Sequence, residues 1–245
     1  MNISHRFKFI WWGAPRCASR QVSSLMGMFN MWVYWDDEPH HRAVGFGKIT
    51  HPGHDFDEED RQNGSWATGD AFTHHAAIPS SVLERLDQYL LTAVVRNPYD
   101  WAVSCWHAEY NAIDPNYQNY SKPVLPFKEY LLKQDGTFYN NDENGVHTKS
   151  LFYNKPVDYP IYFENMVESV LKIPFVQEYA DNPEVQNWIT SVGRNTKERS
   201  WRQNYRPEVI EKNYKEYYDE ETASIVYEGK KGYFDMFGYD KDSWK

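Results

Sequence analysis

Residues 7–20, FKFIWWGAPRCASR, decide the fold class of this chain. The first six are apolar or aromatic apart from Lys8, and a glycine, an alanine and a proline follow at once. A continuous apolar run that stops at turn-forming residues is typical of a buried β-strand. Apolar side chains then recur at helical spacing at Val22, Leu25, Met26 and Phe29, which predicts a helix over residues 19–32. The chain therefore opens as strand, short loop and helix.

A second segment of the same kind begins at residue 90. Residues 90–95 (LLTAVV) form another apolar run of strand length. Asn97 is a favourable N-cap and Pro98 suits the first helical position, while Asp100 falls in the first turn, where the helix favours negative charge. This segment is predicted to be a strand, a turn and a helix.

The remaining chain predicts one further strand over residues 157–163, in which Pro160 indicates a sheet edge or a bulge. Helices are predicted over residues 120–133, 164–171, 207–218 and 220–230, with a surface loop at 134–146. Residues 36–80 are expected to be largely irregular, with short strands at 46–50 and 71–74. Alternating strands and helices indicate an α/β fold. We expect a three-layer sandwich with a central, mostly parallel sheet, in one domain over residues 1–245.

Composition narrows the class of protein. Hydrophobic residues make up 41% of the 245 residues, which is enough to build a core and excludes a wholly disordered chain. The net charge of -9 argues against a protein that grips nucleic acid. Cys17 and Cys105 are too few for a disulfide framework or a zinc site, so we expect free thiols. No apolar run reaches the ~18 residues of a membrane span and no signal peptide is visible, so the expected location is cytoplasmic.

The loop over residues 13–20 is a candidate anion site. A strand that feeds a helix through a tight loop presents backbone amides and the positive end of the helix to an anion, and two arginines and a serine lie in this loop. It is not a nucleoside triphosphate P-loop, because Ala18, Ser19 and Arg20 stand where that pattern requires Gly, Lys and Ser or Thr. The alternative is a plain turn with surface arginines.

The second segment offers another cation at a strand end. Arg96 follows the strand directly, and Ser104 lies about two turns into the next helix. The turn at Asn97 and Pro98 folds that helix back beside the strand, so Arg96 and Ser104 can converge on one anion. Ligands of open α/β sheets bind at this end of the strands.

Together these motifs resemble the sulfotransferases that use 3′-phosphoadenosine 5′-phosphosulfate, and most closely their carbohydrate-type branch. The family's 5′-phosphosulfate loop, Pro-Lys/Arg-x-Gly-Ser/Thr-Ser/Thr, is matched by Pro15, Arg16 and Ser19. Its 3′-phosphate motif is Arg-x-Pro with a serine eight residues after the arginine, and Arg96, Pro98 and Ser104 match it completely. Residues 162–166 (YFENM), 214–219 (YKEYYD) and 237–239 (FGY) are similar to later family segments, so the resemblance covers nearly the whole chain.

The resemblance implies how the nucleotide would be held. The 5′-phosphosulfate would be bound by the first loop, which consists of Pro15, Arg16, Cys17, Ala18, Ser19 and Arg20. The 3′-phosphate would be bound by Arg96 and Ser104. The basic stretch from Arg194 to Arg206 is either a lid over the adenine and the 3′-phosphate or a solvated loop. The chain departs from the family pattern at Ala18, which replaces a glycine, at Arg20, which replaces a small hydroxyl residue, and at Tyr162, which replaces a frequent arginine.

The implied reaction is transfer of a sulfuryl group to a hydroxyl or amine of an acceptor, a glycan or another small molecule, with no metal required. Arg16 is the cation expected to stabilise charge on the leaving oxygen. A general base must accept the acceptor's proton, and His75 is the first candidate and His51 the second, although each could be an ordinary surface or packing residue. The alternatives are a binding module without turnover and, less favoured, a nucleotide kinase of related fold.

Overall fold

The chain's computed structural model describes residues 2–4, 7–12, 17–29, 84–110, 125–133, 156–195 and 213–245. Its strands are β1 (Asn2–Ser4), β2 (Phe9–Trp12), β3 (Leu90–Val95) and β4 (Tyr159–Tyr162). Its α-helices are α1 (Ser19–Phe29), α2 (Pro98–Tyr110), α3 (Phe127–Lys133), α4 (Met166–Val170), α5 (Pro174–Glu178), α6 (Pro183–Asn195) and α7 (Glu220–Phe237). Short 3₁₀ helices cover Leu86–Gln88, Phe163–Asn165 and Tyr214–Tyr217.

Contacts along the chain define two compact units. The first comprises Met1–Val95 and Leu151–Thr196, and the second comprises Arg96–Ser150 and Lys197–Lys245. The first contains the sheet with α1 and α4 to α6, whereas the second contains α2, α3 and α7. The single domain predicted over residues 1–245 stays a prediction.

The sheet of the first unit has the order β1-β2-β3-β4. β1 is antiparallel to β2, whereas β2, β3 and β4 are parallel to one another. Among the described strands β4 lies at the end of the order, and Pro160 within it pairs with Ala93, in agreement with the edge position that this proline predicts. A mostly parallel sheet with helices confirms the α/β class.

An aromatic cluster forms part of the core of the first unit. The rings of Phe9 and Phe175 stack with their centroids 4.5 Å apart, and Phe29 meets Phe175 edge-to-face at 5.1 Å. Phe7 and Tyr179 complete the cluster at centroid distances of 5.5 to 6.0 Å from Phe29 or from each other. These contacts pack α1 and α5 onto β2, because burying aromatic surface is the main favourable term available to so small a sheet.

The second unit is helical and is closed by its C-terminal helix. Asp219 caps α7 by accepting the backbone N–H of Thr222 at 2.8 Å, and Gly238 ends the helix in the left-handed conformation at φ 68. The buried positions of α7 recur every three or four residues: Ala223, Val226, Lys230, Phe234 and Phe237. The buried stripe continues beyond Gly232, which is exposed, to Phe234 and Phe237. This continuation explains why α7 runs seven residues beyond the Lys230 end that the sequence predicts.

Several predicted boundaries were wrong. The strand predicted from residue 7 is β2, which begins at Phe9 because Phe7 and Lys8 form a turn with Lys8 at φ 50. The strand predicted over residues 157–163 is β4, which covers only Tyr159–Tyr162. The helix predicted over residues 164–171 is a 3₁₀ turn followed by α4, and the helix predicted from residue 120 contains no helical residue at 125–126 before Phe127. Tyr214–Tyr217 is a 3₁₀ helix within the predicted 207–218 segment, whose residues 207–212 lie outside the described ranges.

Candidate functional site

The start of α2 shows the predicted strand, turn and helix. β3 covers Leu90–Val95, as predicted, and the helix begins at Pro98. The Asn97 side-chain oxygen accepts the backbone N–H of Tyr99 at 3.0 Å, and the Asn97 carbonyl accepts that of Trp101 at 2.8 Å. Asn97 therefore satisfies backbone donors at the helix start, which confirms its predicted role as the cap.

Three polar side chains follow one another at spacings of four residues and are called the Arg96 stripe: Arg96 just before α2, and Asp100 and Ser104 within it. The Nε of Arg96 donates to the Oδ2 of Asp100 at 2.7 Å, and their side chains are only 11% and 22% exposed. Ser104 is half-buried and lies one helical turn after Asp100, so these two residues share a face of α2. Arg96 thus contacts Asp100, and Ser104 follows Asp100 by one turn of α2, whereas the joint binding of a phosphate by Arg96 and Ser104 stays a prediction.

Asp100 has a second role that the sequence analysis missed. We expected its carboxylate to complement the start of the helix, and it also holds the guanidinium of Arg96. The spacing of four residues between an arginine and an aspartate was the available signal, since such side chains meet on one helix face.

The backbone just before α2 is held by the C-terminal part of the second unit. The backbone N–H of Arg96 donates to the Tyr233 hydroxyl at 3.2 Å. The side-chain amide of Asn97 donates to the Oγ of Ser243 at 2.8 Å. No local sequence pattern predicts either contact, because the partners lie 137 and 146 residues apart along the chain.

Two tyrosines extend this anchoring, Tyr99 buried and Tyr218 half-buried. The Tyr99 hydroxyl donates to the carbonyl of Lys241 at 2.6 Å, and the Tyr218 hydroxyl donates to the carbonyl of Tyr99 at 2.8 Å. Burial, with a smaller contribution from the nearby Asp242 charge, raises the pKa of Tyr99 to about 12. Burial also raises the pKa of Tyr218 well above its usual value, so both phenols stay protonated donors at neutral pH.

The first loop is described from Cys17 onward. Cys17 and Cys105 are both buried, Cys17 with 2% of its surface exposed, and neither forms a disulfide, as predicted. Ala18 has φ 54, and its carbonyl accepts the backbone N–H groups of Gln21 and Val22 at 2.9 and 3.3 Å. Ala18 therefore makes the turn into α1 in a conformation that favours glycine, the residue that the resembled family has there.

The other predicted site residues have different outcomes. Ser19 and Arg20 are the first two residues of α1. Pro15, Arg16, His51 and His75 lie outside the described residues, as do the short strands predicted at 46–50 and 71–74 and the loop predicted at 134–146. Arg194 and Asn195 end α6, so these two residues do not lie in a loop. The rest of the basic stretch to Arg206 lies outside the described residues, and the lid stays a prediction.

A shallow cleft of about 230 Å³ lies beside Tyr99 in the second unit. Two lysines, Lys241 and Lys245, and two acids, Glu220 and Asp242, line it. Because these charges balance, the cleft offers no net attraction to a polyanion. Arg96 and Asp100 balance one another as well, so net charge does not distinguish the two places, and the Arg96 stripe is preferred for its match to the Arg-x-Pro and serine motif.

Comparison with protein families, with curated proteins and with solved structures found no match to this chain. Of the helices in the described ranges, none has both the length and the apolar character needed to cross a lipid bilayer.

Proposed function

We propose that this chain is a sulfotransferase that uses 3′-phosphoadenosine 5′-phosphosulfate and sulfates a hydroxyl or amine, most naturally of a carbohydrate. The finer fold that accompanies this proposal is the three-layer, P-loop-like sandwich of those enzymes. The observation that carries the proposal is the position of Arg96 between β3 and α2, where its guanidinium pairs with Asp100, with Ser104 one turn further along α2. This placement agrees with the Arg-x-Pro and serine motif that the sequence matches completely.

The side chains of the stripe fit a phosphate group. Arginine presents a planar fork of donors that matches phosphate geometry, and a serine hydroxyl adds a further donor. The carboxylate of Asp100 engages the Nε of Arg96, which fixes the orientation of the guanidinium. A fixed cation binds better than a mobile one, since less side-chain entropy is lost when the anion arrives.

The sheet and the first loop give separate support. β2 and β3 are parallel neighbours, with Trp12 paired to Ala93, so both strands end at the same edge of the sheet. β2 ends at Trp12, and ligands of open α/β sheets bind at this end of the strands. The glycine-like φ of Ala18 favours a tight turn of the phosphosulfate-binding type despite the missing glycine.

The proposed chemistry assigns roles to residues beyond the described ranges. The nucleotide, when bound, supplies the sulfuryl group that is transferred. Arg16 would stabilise negative charge on the leaving oxygen, and His75, or failing that His51, would accept the acceptor's proton. A binding module that retains the pocket without turnover is the second candidate, because Arg16 stands in place of a lysine. A nucleotide kinase is third, since the Walker lysine is absent.

The first prediction is that adenosine 3′,5′-bisphosphate, with no divalent metal added, raises the thermal midpoint of the protein. A ligand that binds only the native state stabilises it by about 2.7 kcal/mol at a hundredfold excess over its Kd. Arg96→Ala should weaken binding roughly 10- to 100-fold, as expected when a charged hydrogen-bonding group is lost. Lys231→Ala, which removes an exposed cation of the same unit, is the matched control and should bind like wild type.

The contrary outcomes separate the alternatives. A midpoint that millimolar bisphosphate leaves unmoved would rule out the nucleotide assignment, and stabilisation by magnesium–ATP alone would favour the kinase. If the bisphosphate binds, release of bisphosphate from the phosphosulfate donor in the presence of pooled glycans and small phenols distinguishes an enzyme from a module.

A further inference from the structure

Arg96 is held at two points, at its side-chain guanidinium and at its backbone N–H. At the guanidinium end, Asp100 accepts a hydrogen bond from Nε at 2.7 Å. At the backbone end, the N–H of Arg96 donates to the hydroxyl of Tyr233, a residue on α7. Recognition of an anion by arginine depends on placing the planar fork to within about 0.5 Å, so both anchors bear on how well a phosphate would fit.

The Tyr233 ring is positioned by packing that does not involve its hydroxyl. Its centroid lies 4.6 Å from the Phe237 ring and 6.2 Å from the Tyr239 ring, and it is nearly parallel to the latter. Removing the hydroxyl alone should therefore leave the ring in place. The contact with Arg96 can be tested without disturbing α7.

The neighbouring residue is anchored to the same part of the chain. Asn97 caps α2 with its side-chain oxygen, and its side-chain nitrogen donates to Ser243 at 2.8 Å. One asparagine thus couples the helix start to the C-terminal segment. Consecutive residues, Arg96 and Asn97, are both tied to the segment from Tyr233 to Ser243.

We infer that Tyr233 is a positioning residue for recognition of the 3′-phosphate, with Ser243 in support. Its hydroxyl fixes the backbone from which Arg96 projects, so the C-terminal segment determines discrimination between nucleotides with and without a 3′-phosphate. This inference rests on the proposed function, and it goes further by naming the residues that set the selectivity of the Arg96 site.

The test compares Kd values for adenosine 3′,5′-bisphosphate and adenosine 5′-monophosphate by calorimetry. Tyr233→Phe should weaken binding of the bisphosphate by about 3- to 10-fold, the range of one hydrogen bond, and leave the monophosphate Kd unchanged. Ser243→Ala should change the ratio in the same direction. Tyr227→Phe is the matched control on the same helix, because it also removes one phenol oxygen, and it should leave both constants unchanged.

A double-mutant cycle distinguishes positioning from a general structural role. If Tyr233 acts through Arg96, Tyr233→Phe should change the bisphosphate Kd by less than about 2-fold in an Arg96→Ala background. Equal effects in both backgrounds, or an unchanged ratio of the two Kd values in Tyr233→Phe and Ser243→Ala, would overturn the inference while the proposed function stands. A wild-type protein that binds neither nucleotide would overturn both.

Discussion

At the scale of single residues, Ala18 holds an unfavourable backbone conformation in the turn before α1. Ala18 has φ 54, in the left-handed region that costs a residue with a Cβ roughly 1–2 kcal/mol. The turn before α1 requires this conformation, because the Ala18 carbonyl must accept the first backbone N–H groups of the helix. Ala18 thus holds a conformation that favours glycine, so strain is stored at the end of the first loop, where the chain enters α1.

Ala18→Gly should therefore raise the free energy of unfolding by up to about 1 kcal/mol, since the relieved strain exceeds the extra entropy of glycine in the unfolded chain. Ala102→Gly, in the interior of α2, is the matched control. It should lower the free energy of unfolding by about 1 kcal/mol or more, because Ala102 is buried and helical. Urea denaturation measures both, and equal destabilisation by the two changes would contradict the strain at Ala18.

At the scale of elements, the helices begin and end where side chains satisfy the backbone. Asn97 and Pro98 start α2, and Asn182 and Pro183 start α6 with the same arrangement, since the Asn182 side chain accepts the Glu184 N–H at 2.9 Å. The first pair was used to predict a helix and the second was overlooked. The Asn182–Pro183 pair was therefore a signal in the sequence for the start of α6.

Replacing Gly232, inside α7, and Gly238, just after it, by alanine should change the free energy of unfolding in opposite directions. Gly232 is an exposed interior residue of the helix, and an added Cβ would meet nothing within 4 Å. Gly232→Ala should raise the free energy of unfolding by about 0.5–1 kcal/mol through helix propensity. Gly238 has equal space but φ 68, so Gly238→Ala should lower it by about 1 kcal/mol. Thermal and urea unfolding compare the two, and changes of the same sign would contradict these assignments.

At the scale of the whole molecule, buried phenols make folding sensitive to high pH. A group whose pKa is raised by folding contributes stability that is present below its unfolded pKa and is lost as the pH rises through its folded pKa. For Tyr99 that window extends from its ordinary pKa of 10 to about 12. Over this window the unfolded state releases the Tyr99 proton first, so the folded state loses about 2 kcal/mol of advantage from this group.

Tyr99→Phe should therefore be less stable than wild type at neutral pH by about 1 kcal/mol, because the hydrogen bond to Lys241 is lost. The difference should shrink and then change sign as the pH rises from 10 towards 12, because wild type loses about 2 kcal/mol through the Tyr99 proton linkage and the variant does not. Urea denaturation at a series of pH values measures this difference. A gap that stays constant over the whole series would show that Tyr99 does not control the alkaline limb.

The sequence by itself determined those features that depend on residues a few positions apart. The strand Leu90–Val95, the cap and proline at the start of α2 and the stripe of α1 were all readable locally. The spacing of four residues between Arg96 and Asp100 was readable for the same reason, although the role of Arg96 and Ser104 as phosphate ligands stays a prediction.

Only the tertiary structure decided which distant segments meet. The antiparallel pairing of β1, the order of the parallel strands and the contacts of Tyr233 and Ser243 with Arg96 and Asn97 all join residues that no local pattern relates. The Tyr233 hydroxyl accepts a backbone N–H from a residue 137 positions away. Such a contact involves one side chain and produces no repeating pattern in the sequence, so it cannot be predicted from the sequence. The positioning of the candidate site is accordingly a property of the folded chain.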